Sequence, residues 1–96
     1  MTFPHPQHLI LTSIGCVACK HLEAYLIGQK TTTWKWIYHH IKPDLFDALH
    51  ITSTPTVITQ VGQNEYRIVA IGLQEAIDYH RKWRLPSSII TGGEEE

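Results

Sequence analysis

The order of its segments constrains this chain most, because strand-like and helix-like stretches alternate along it and then break the alternation once near the end. Leu9 to Thr12 is a compact apolar run before Ser13-Ile14-Gly15 and reads as a buried strand. From Cys16 the pattern turns helical, with Ala18, Leu22, Tyr25 and Leu26 on one face and Gly28 as the expected stop. Thr31 to Tyr38 is dense in β-branched and aromatic residues and predicts a second strand. Pro43 opens a short helix, with Asp44 near its positive end and Leu45, Ala48 and Leu49 facing inward, which stops by about Ile51. Thr56 to Val61 and Tyr66 to Ile71, joined by a short Gly/Asn loop, read as an antiparallel hairpin closed by Gly72. Leu73, Ala76, Ile77 and His80 then recur at helical spacing until Leu85-Pro86 breaks the pattern.

Such a β-α-β-α-β-β-α order predicts an α/β fold with a four-stranded mixed sheet flanked by helices on both faces. A crossover makes the first two strands parallel, and the hairpin adds the antiparallel pair. A length of 96 residues holds one domain. Residues 1–86 are assigned to it. Residues 87–96, with Ser-Ser, Gly-Gly and a terminal Glu94-Glu95-Glu96, are expected to form a mobile acidic tail.

With 8 Lys and Arg against 9 Asp and Glu, the net charge of −1 supplies no footprint for a nucleic-acid backbone or an anionic membrane. No apolar run approaches the ~20 residues of a membrane span. The first eight residues lack the basic region and apolar core of a signal peptide. The expectation is a soluble, monomeric, cytoplasmic protein that binds neither nucleic acid nor membrane.

The 2 cysteines make neither a multi-bridge scaffold nor, alone, a four-thiolate zinc site, so their placement carries their meaning. Cys16-Val17-Ala18-Cys19 lies where a strand ends and a helix begins. Positions i and i+3 in a first helical turn hold their Cβ atoms roughly 5–6 Å apart, close enough for a reversible bridge. Cys16 sits at the helix N-terminus, where unpaired N–H groups and the positive dipole end favour an anionic sulfur. A thiol with a pKa near 8.5 is only about 3% thiolate at neutral pH, and one near 7 is about half ionised. That difference of roughly 2 kcal/mol needs hydrogen bonds as well as a dipole. Cys16 is therefore the expected nucleophile, and Cys19, one turn deeper beside Leu22 and Leu26, the resolving thiol.

The other readings of the pair are an inert or structural bridge, a soft-metal carrier for copper or zinc, and a non-catalytic binding module. The 7 histidines do not converge. His21 lies about 200° around the helix from Cys19 and points away, His5 and His8 fall in a loose start, and His39-His40 end a strand on opposite faces. No metal site is assigned. Trp34, Trp36 and Tyr38 alternate on one strand face and, without a basic groove, are expected to pack under a helix. Tyr79 and Trp83 are expected to pack likewise, Trp83 at the rim.

Gly15-Cys16-Val17-Ala18-Cys19 on a strand-to-helix junction, then Ile51-Thr52-Ser53-Thr54-Pro55-Thr56-Val57-Ile58, then Gly62-Gln63-Asn64-Glu65 leading to Ile71-Gly72-Leu73, resembles the thioredoxin and glutaredoxin superfamily. The resemblance spans about Leu9 to Trp83. It implies a cis Pro55 facing the dithiol and a Thr54 backbone that pairs with an extended substrate segment. It further implies a substrate-binding surface formed by Gly15, Val17, Ala18, Thr54 and Pro55. The activity implied is thiol:disulfide exchange on protein disulfides, with no resident cofactor and with a separate reductase or thiol pool restoring the dithiol. The Val17-Ala18 spacer differs from the Gly-Pro of thioredoxins and the Pro-Tyr of glutaredoxins, and Leu9, Ile10 and Leu11 supply no acidic residue beneath the pair.

Overall fold

A computed structural model describes residues 6–84, so His5 and the expected tail at 87–96 lie outside the described residues. The elements run β1 (Gln7–Thr12), α1 (Val17–Gly28), β2 (Lys35–Tyr38), α2 (Pro43–Ala48), β3 (Thr56–Gly62), β4 (Glu65–Ile71) and α3 (Leu73–Trp83). They form a four-stranded sheet of order β2-β1-β3-β4, in which β1 and β2 are parallel and the other neighbours antiparallel. This is the expected order and sheet.

The continuous apolar runs are the central strands. Leu9, Ile10 and Leu11 of β1 and Val57 and Ile58 of β3 are buried on both faces, while the mixed sequences of β2 and β4 form the edges. Because successive side chains alternate, each strand serves two cores. Ile10, Val57 and Ala70 meet Leu22, Leu26 and Ala76 of α1 and α3 on one face. Leu9, Leu11 and Ile58 meet Phe46 of α2 on the other. Each fully buried aliphatic side chain contributes about 1.5–3 kcal/mol.

Several local expectations are corrected. Gly28 is the last residue of α1 and not its left-handed stop; that conformation falls on Lys30, with φ 58°. Thr31 N–H donates to the Leu26 carbonyl and Lys30 N–H to the Ile27 carbonyl, each at 3.0 Å, which is the Schellman pattern with lysine where glycine is usual. α2 ends in the same way: His50 has φ 55°, Ile51 N–H reaches the Phe46 carbonyl at 2.9 Å, and His50 N–H reaches the Asp47 carbonyl at 3.1 Å. On α2 the buried residue is Phe46, and Ala48 faces solvent, because Leu45, Phe46 and Leu49 define its inner stripe.

The second strand is four residues long, not eight. Thr31 is taken up by the α1 terminus and Trp34 by the core, so pairing with β1 begins only at Leu9 and Lys35. His39 and His40 therefore lie in the turn beyond β2, where His39 meets the Phe46 ring edge-on with centroids 5.0 Å apart. His8 does not belong to a loose start. It is a buried residue of β1, stacked on Trp34 with centroids 4.8 Å apart and bonded through Nε2 to the Tyr79 hydroxyl at 2.7 Å.

Candidate active site

The site is built where β1 leaves the sheet. After Thr12 the chain turns through Ser13, Ile14 and Gly15, and Cys16 N–H returns to the Ser13 carbonyl at 3.4 Å. Gly15 has φ +81° with open space around a would-be Cβ, so its need for glycine is conformational and not steric. Cys16 follows in an extended conformation and is the N-cap of α1. Its sulfur takes the capping role that serine or aspartate usually fills, accepting the Cys19 N–H at 3.1 Å.

A second donor comes from across the sheet. The Thr54–Pro55 bond is cis, and the Thr54 hydroxyl donates to Cys16 Sγ at 3.3 Å. Pro55 is buried at the entry to β3, and its carbonyl accepts the Gly72 N–H at 2.8 Å, which ties the start of α3 to the same corner. Gly72, with φ +90°, caps α3 through its backbone. Ser13 Oγ lies 3.2 Å from Thr54 Oγ1.

Cys16 and Cys19 form a disulfide with their Cα atoms 5.2 Å apart. The two sulfurs are unequal: Cys19 is buried on the α1 side that carries Leu22 and Leu26, whereas Cys16 is half-buried. Ile14 and Val17, close to Cys16 in the chain, are 76% and 67% exposed, so apolar side chains flank it at the surface. A cavity of about 270 Å³ opens beside the bridge toward β2, lined by both cysteines, Lys20, Glu23, Trp36 and Tyr38.

Cys16 and Cys19, with Gly15, Val17, Ala18, Thr54 and Pro55, lie at or near this corner. Gly15, Val17 and Ala18 surround Cys16 in the chain, Gly15 and Val17 exposed and Ala18 half-buried. Thr54 and Pro55 approach from β3. His21 is exposed, and among the described residues no group of three or more His, Cys, Asp and Glu side chains lies together. Sequence reasoning missed the side-chain role of Thr54, the proximity of Ser13 to it, and the cavity residues Lys20 and Glu23. Lys20 and Glu23 follow Cys16 at i+4 and i+7 on α1, a spacing that could have flagged them.

At the other end of β1 lies a separate polar and aromatic cluster. His80 is fully buried, with Nδ1 3.0 Å from the Tyr25 hydroxyl and Nε2 2.6 Å from Thr31 Oγ1. Burial holds the His80 pKa below its ordinary value of 6.5, with Arg84 adding to the effect. Burial lowers His8 too, helped by His80, and raises the Tyr79 phenol. Trp34 lies between His8 and His80, and Trp83 packs on it from the 42%-exposed rim, as expected for both aromatics.

The order, the sheet and the Cys16–Cys19 pair beside the cis Thr54–Pro55 bond define a thioredoxin-like fold. Plasmodium falciparum thioredoxin is similar to it with a TM-score of 0.60 and 22% identity, over 81% of this chain and 70% of that one. Trichomonas vaginalis thioredoxin is similar at TM-score 0.57 and 17% identity, over 84% of this chain and 81% of that one. A chain from a structure on the thiol resolving mechanism in yeast mitochondrial 1-Cys peroxiredoxin matches at TM-score 0.55 and 12% identity, over 83% and 78% respectively. No protein-family profile and no curated protein matches the sequence. The described helices include none long and apolar enough to cross a membrane.

Proposed function

We propose that the chain is a thiol:disulfide oxidoreductase that reduces or exchanges protein disulfides through Cys16 and Cys19. The observation that carries this reading is the inequality of the sulfurs. Cys16 is the less buried residue of the pair, and its Sγ already receives a backbone N–H and a hydroxyl that favour its anionic form, while Cys19 is buried.

In the reduced protein the Cys16 thiolate attacks one sulfur of a substrate disulfide. The substrate S–S bond breaks, its other sulfur leaves as a thiolate that takes up a proton, and Cys16 is joined to the substrate. Cys19 then loses its proton and attacks Cys16 Sγ, which re-forms the Cys16–Cys19 bridge and releases the second substrate thiol. Two electrons pass to the substrate in all. The Cys19 proton has a route to solvent through the cavity that Cys19 shares with Lys20 and Glu23. Thr54 precedes the first paired residue of β3, Thr56, so its backbone lies outside the sheet register and suits an added substrate strand. Gly15, Val17, Ala18 and Pro55 complete that surface. No resident cofactor takes part, and an external reductase or thiol pool returns the dithiol.

The test is reduction of insulin disulfides in the presence of excess dithiothreitol. Wild type accelerates precipitation over reductant alone and Cys16→Ser does not; reduced Cys19→Ser, freed of dithiothreitol before it meets insulin, accumulates a mixed disulfide at Cys16. Equal rates for wild type and Cys16→Ser would sink the proposal.

A further inference from the structure

The geometry points to Ser13 as a positioning residue for Cys16: its hydroxyl donates to Thr54 Oγ1 and so holds the single Thr54 proton on the Cys16 sulfur. The inference rests on the oxidoreductase reading for its use, but not for its test. It follows from counting protons. A threonine hydroxyl has one hydrogen. Thr54 Oγ1 spends it on Cys16 Sγ, at 3.3 Å, so its contact with Ser13 Oγ at 3.2 Å must be filled by the Ser13 proton. The three atoms form a directed chain from Ser13 through Thr54 to Cys16.

Ser13 is held for this role. It is half-buried at the end of the central strand, and its own carbonyl accepts the Cys16 N–H, so one residue grips the cysteine by its main chain and, through Thr54, by its side chain. Donation to a sulfur in a disulfide is weak, and it strengthens once the sulfur carries charge. A hydroxyl that is itself a hydrogen-bond acceptor is also the better donor. Without Ser13 the Thr54 hydroxyl is free to turn toward solvent. The other donor to Cys16, the Cys19 N–H, belongs to the helix backbone and is untouched by either side chain.

The experiment is the pH dependence of iodoacetamide alkylation at Cys16 in the reduced full chain, read by mass spectrometry, with no disulfide substrate present. Thr54→Val should raise the Cys16 pKa by about one unit, the loss of one hydrogen bond to a charged group. Ser13→Ala should raise it by roughly half a unit, about a threefold loss of alkylation rate below the pKa. Ser13→Thr, which keeps the hydroxyl, should restore the wild-type profile. In a Thr54→Val background, Ser13→Ala should shift nothing further, an outcome that a merely structural role would not give. Ser13→Gly removes the same hydroxyl and stands in if the alanine variant does not fold. An unchanged profile in Ser13→Ala, or a full shift that persists with Thr54→Val, overturns the assignment. If insulin reduction fails while these shifts are found, the relay stands and the oxidoreductase reading falls. If insulin is reduced and the profile does not move, the reverse holds.

Discussion

Acidification from pH 7.5 to 5.5 should destabilise the fold through His8 and His80. Both are buried, and both have pKa values held below the ordinary 6.5, chiefly by burial. Between the folded and unfolded pKa values the unfolded chain therefore binds more protons. The stability these residues contribute is complete above pH 6.5 and is lost as pH falls toward their folded values. His80 shows why. A neutral ring donates to one hydroxyl and accepts from the other, which matches its bonds to Tyr25 and Thr31; a protonated ring must donate to both, forcing one hydroxyl to reverse in a buried site. The unfolded chain alone sets the ceiling on this loss: a histidine of ordinary pKa cannot cost more than about 1.4 kcal/mol between pH 7.5 and 5.5, or about 2.7 kcal/mol for the two. That is a large part of the 5–15 kcal/mol typical of a domain. Urea unfolding at half-unit pH intervals measures it, and carboxylates interfere only below about pH 5. His80→Gln and His8→Gln should each lose stability at pH 7.5 and flatten the slope by about half. A wild-type stability that is level from pH 7.5 to 5.5, or a slope untouched by both substitutions, would refute the reasoning.

Lys30 and His50 occupy left-handed positions that close α1 and α2, so Lys30→Gly and His50→Gly should each raise the urea midpoint, by about 0.5–1 kcal/mol of stability. Gly15→Ala forces φ +81° on a residue with a Cβ and should cost about 1–2 kcal/mol, with a slower alkylation of Cys16 as its N-cap geometry loosens. Leu22→Ala, at a fully buried contact between α1 and the sheet, should cost about 2–5 kcal/mol by the same unfolding assay.

What was legible in the sequence is what local chemistry decides. The strand-to-helix step at Gly15-Cys16, proline at the first position of α2, and the Gly62-Gln63-Asn64 loop each depend on residues adjacent in the chain, and all are found near their expected positions. His8 was misread because its partners, Trp34, Tyr79 and Trp83, come from distant segments, and an isolated histidine near a terminus carries no sign of them. The stop of α1 falls at Lys30 and not at Gly28, the better local candidate, because the Leu26 and Ile27 carbonyls select the later residue. The bond from Thr54 to Cys16 joins residues 38 positions apart, and the one from Ser13 to Thr54 residues 41 apart. Only a sheet with β1 beside β3 brings them together, and no periodicity encodes that pairing of hydroxyls.

The placement of the bridge also bears on whether it is structural. Cys16 and Cys19 are three residues apart, so the loop they close is among the shortest, and the chain-entropy account gives such a bridge about 2 kcal/mol at most. The two cores, with Ile10, Leu22, Val57 and Ile58 fully buried, do not depend on it. Reduction also leaves the N-cap bond from Cys19 N–H to the Cys16 sulfur with a better acceptor, a thiolate, and an N-cap is worth about 0.5–2 kcal/mol. The two effects oppose each other. The oxidised protein should therefore be more stable than the reduced one by less than about 2 kcal/mol, with the same dependence on urea concentration in both states. Parallel urea titrations with and without dithiothreitol decide it. A reduced protein that is unfolded, or weaker by more than about 4 kcal/mol, would exceed what so short a loop can supply, and the pair would be a structural staple, not a bridge that opens and closes in service.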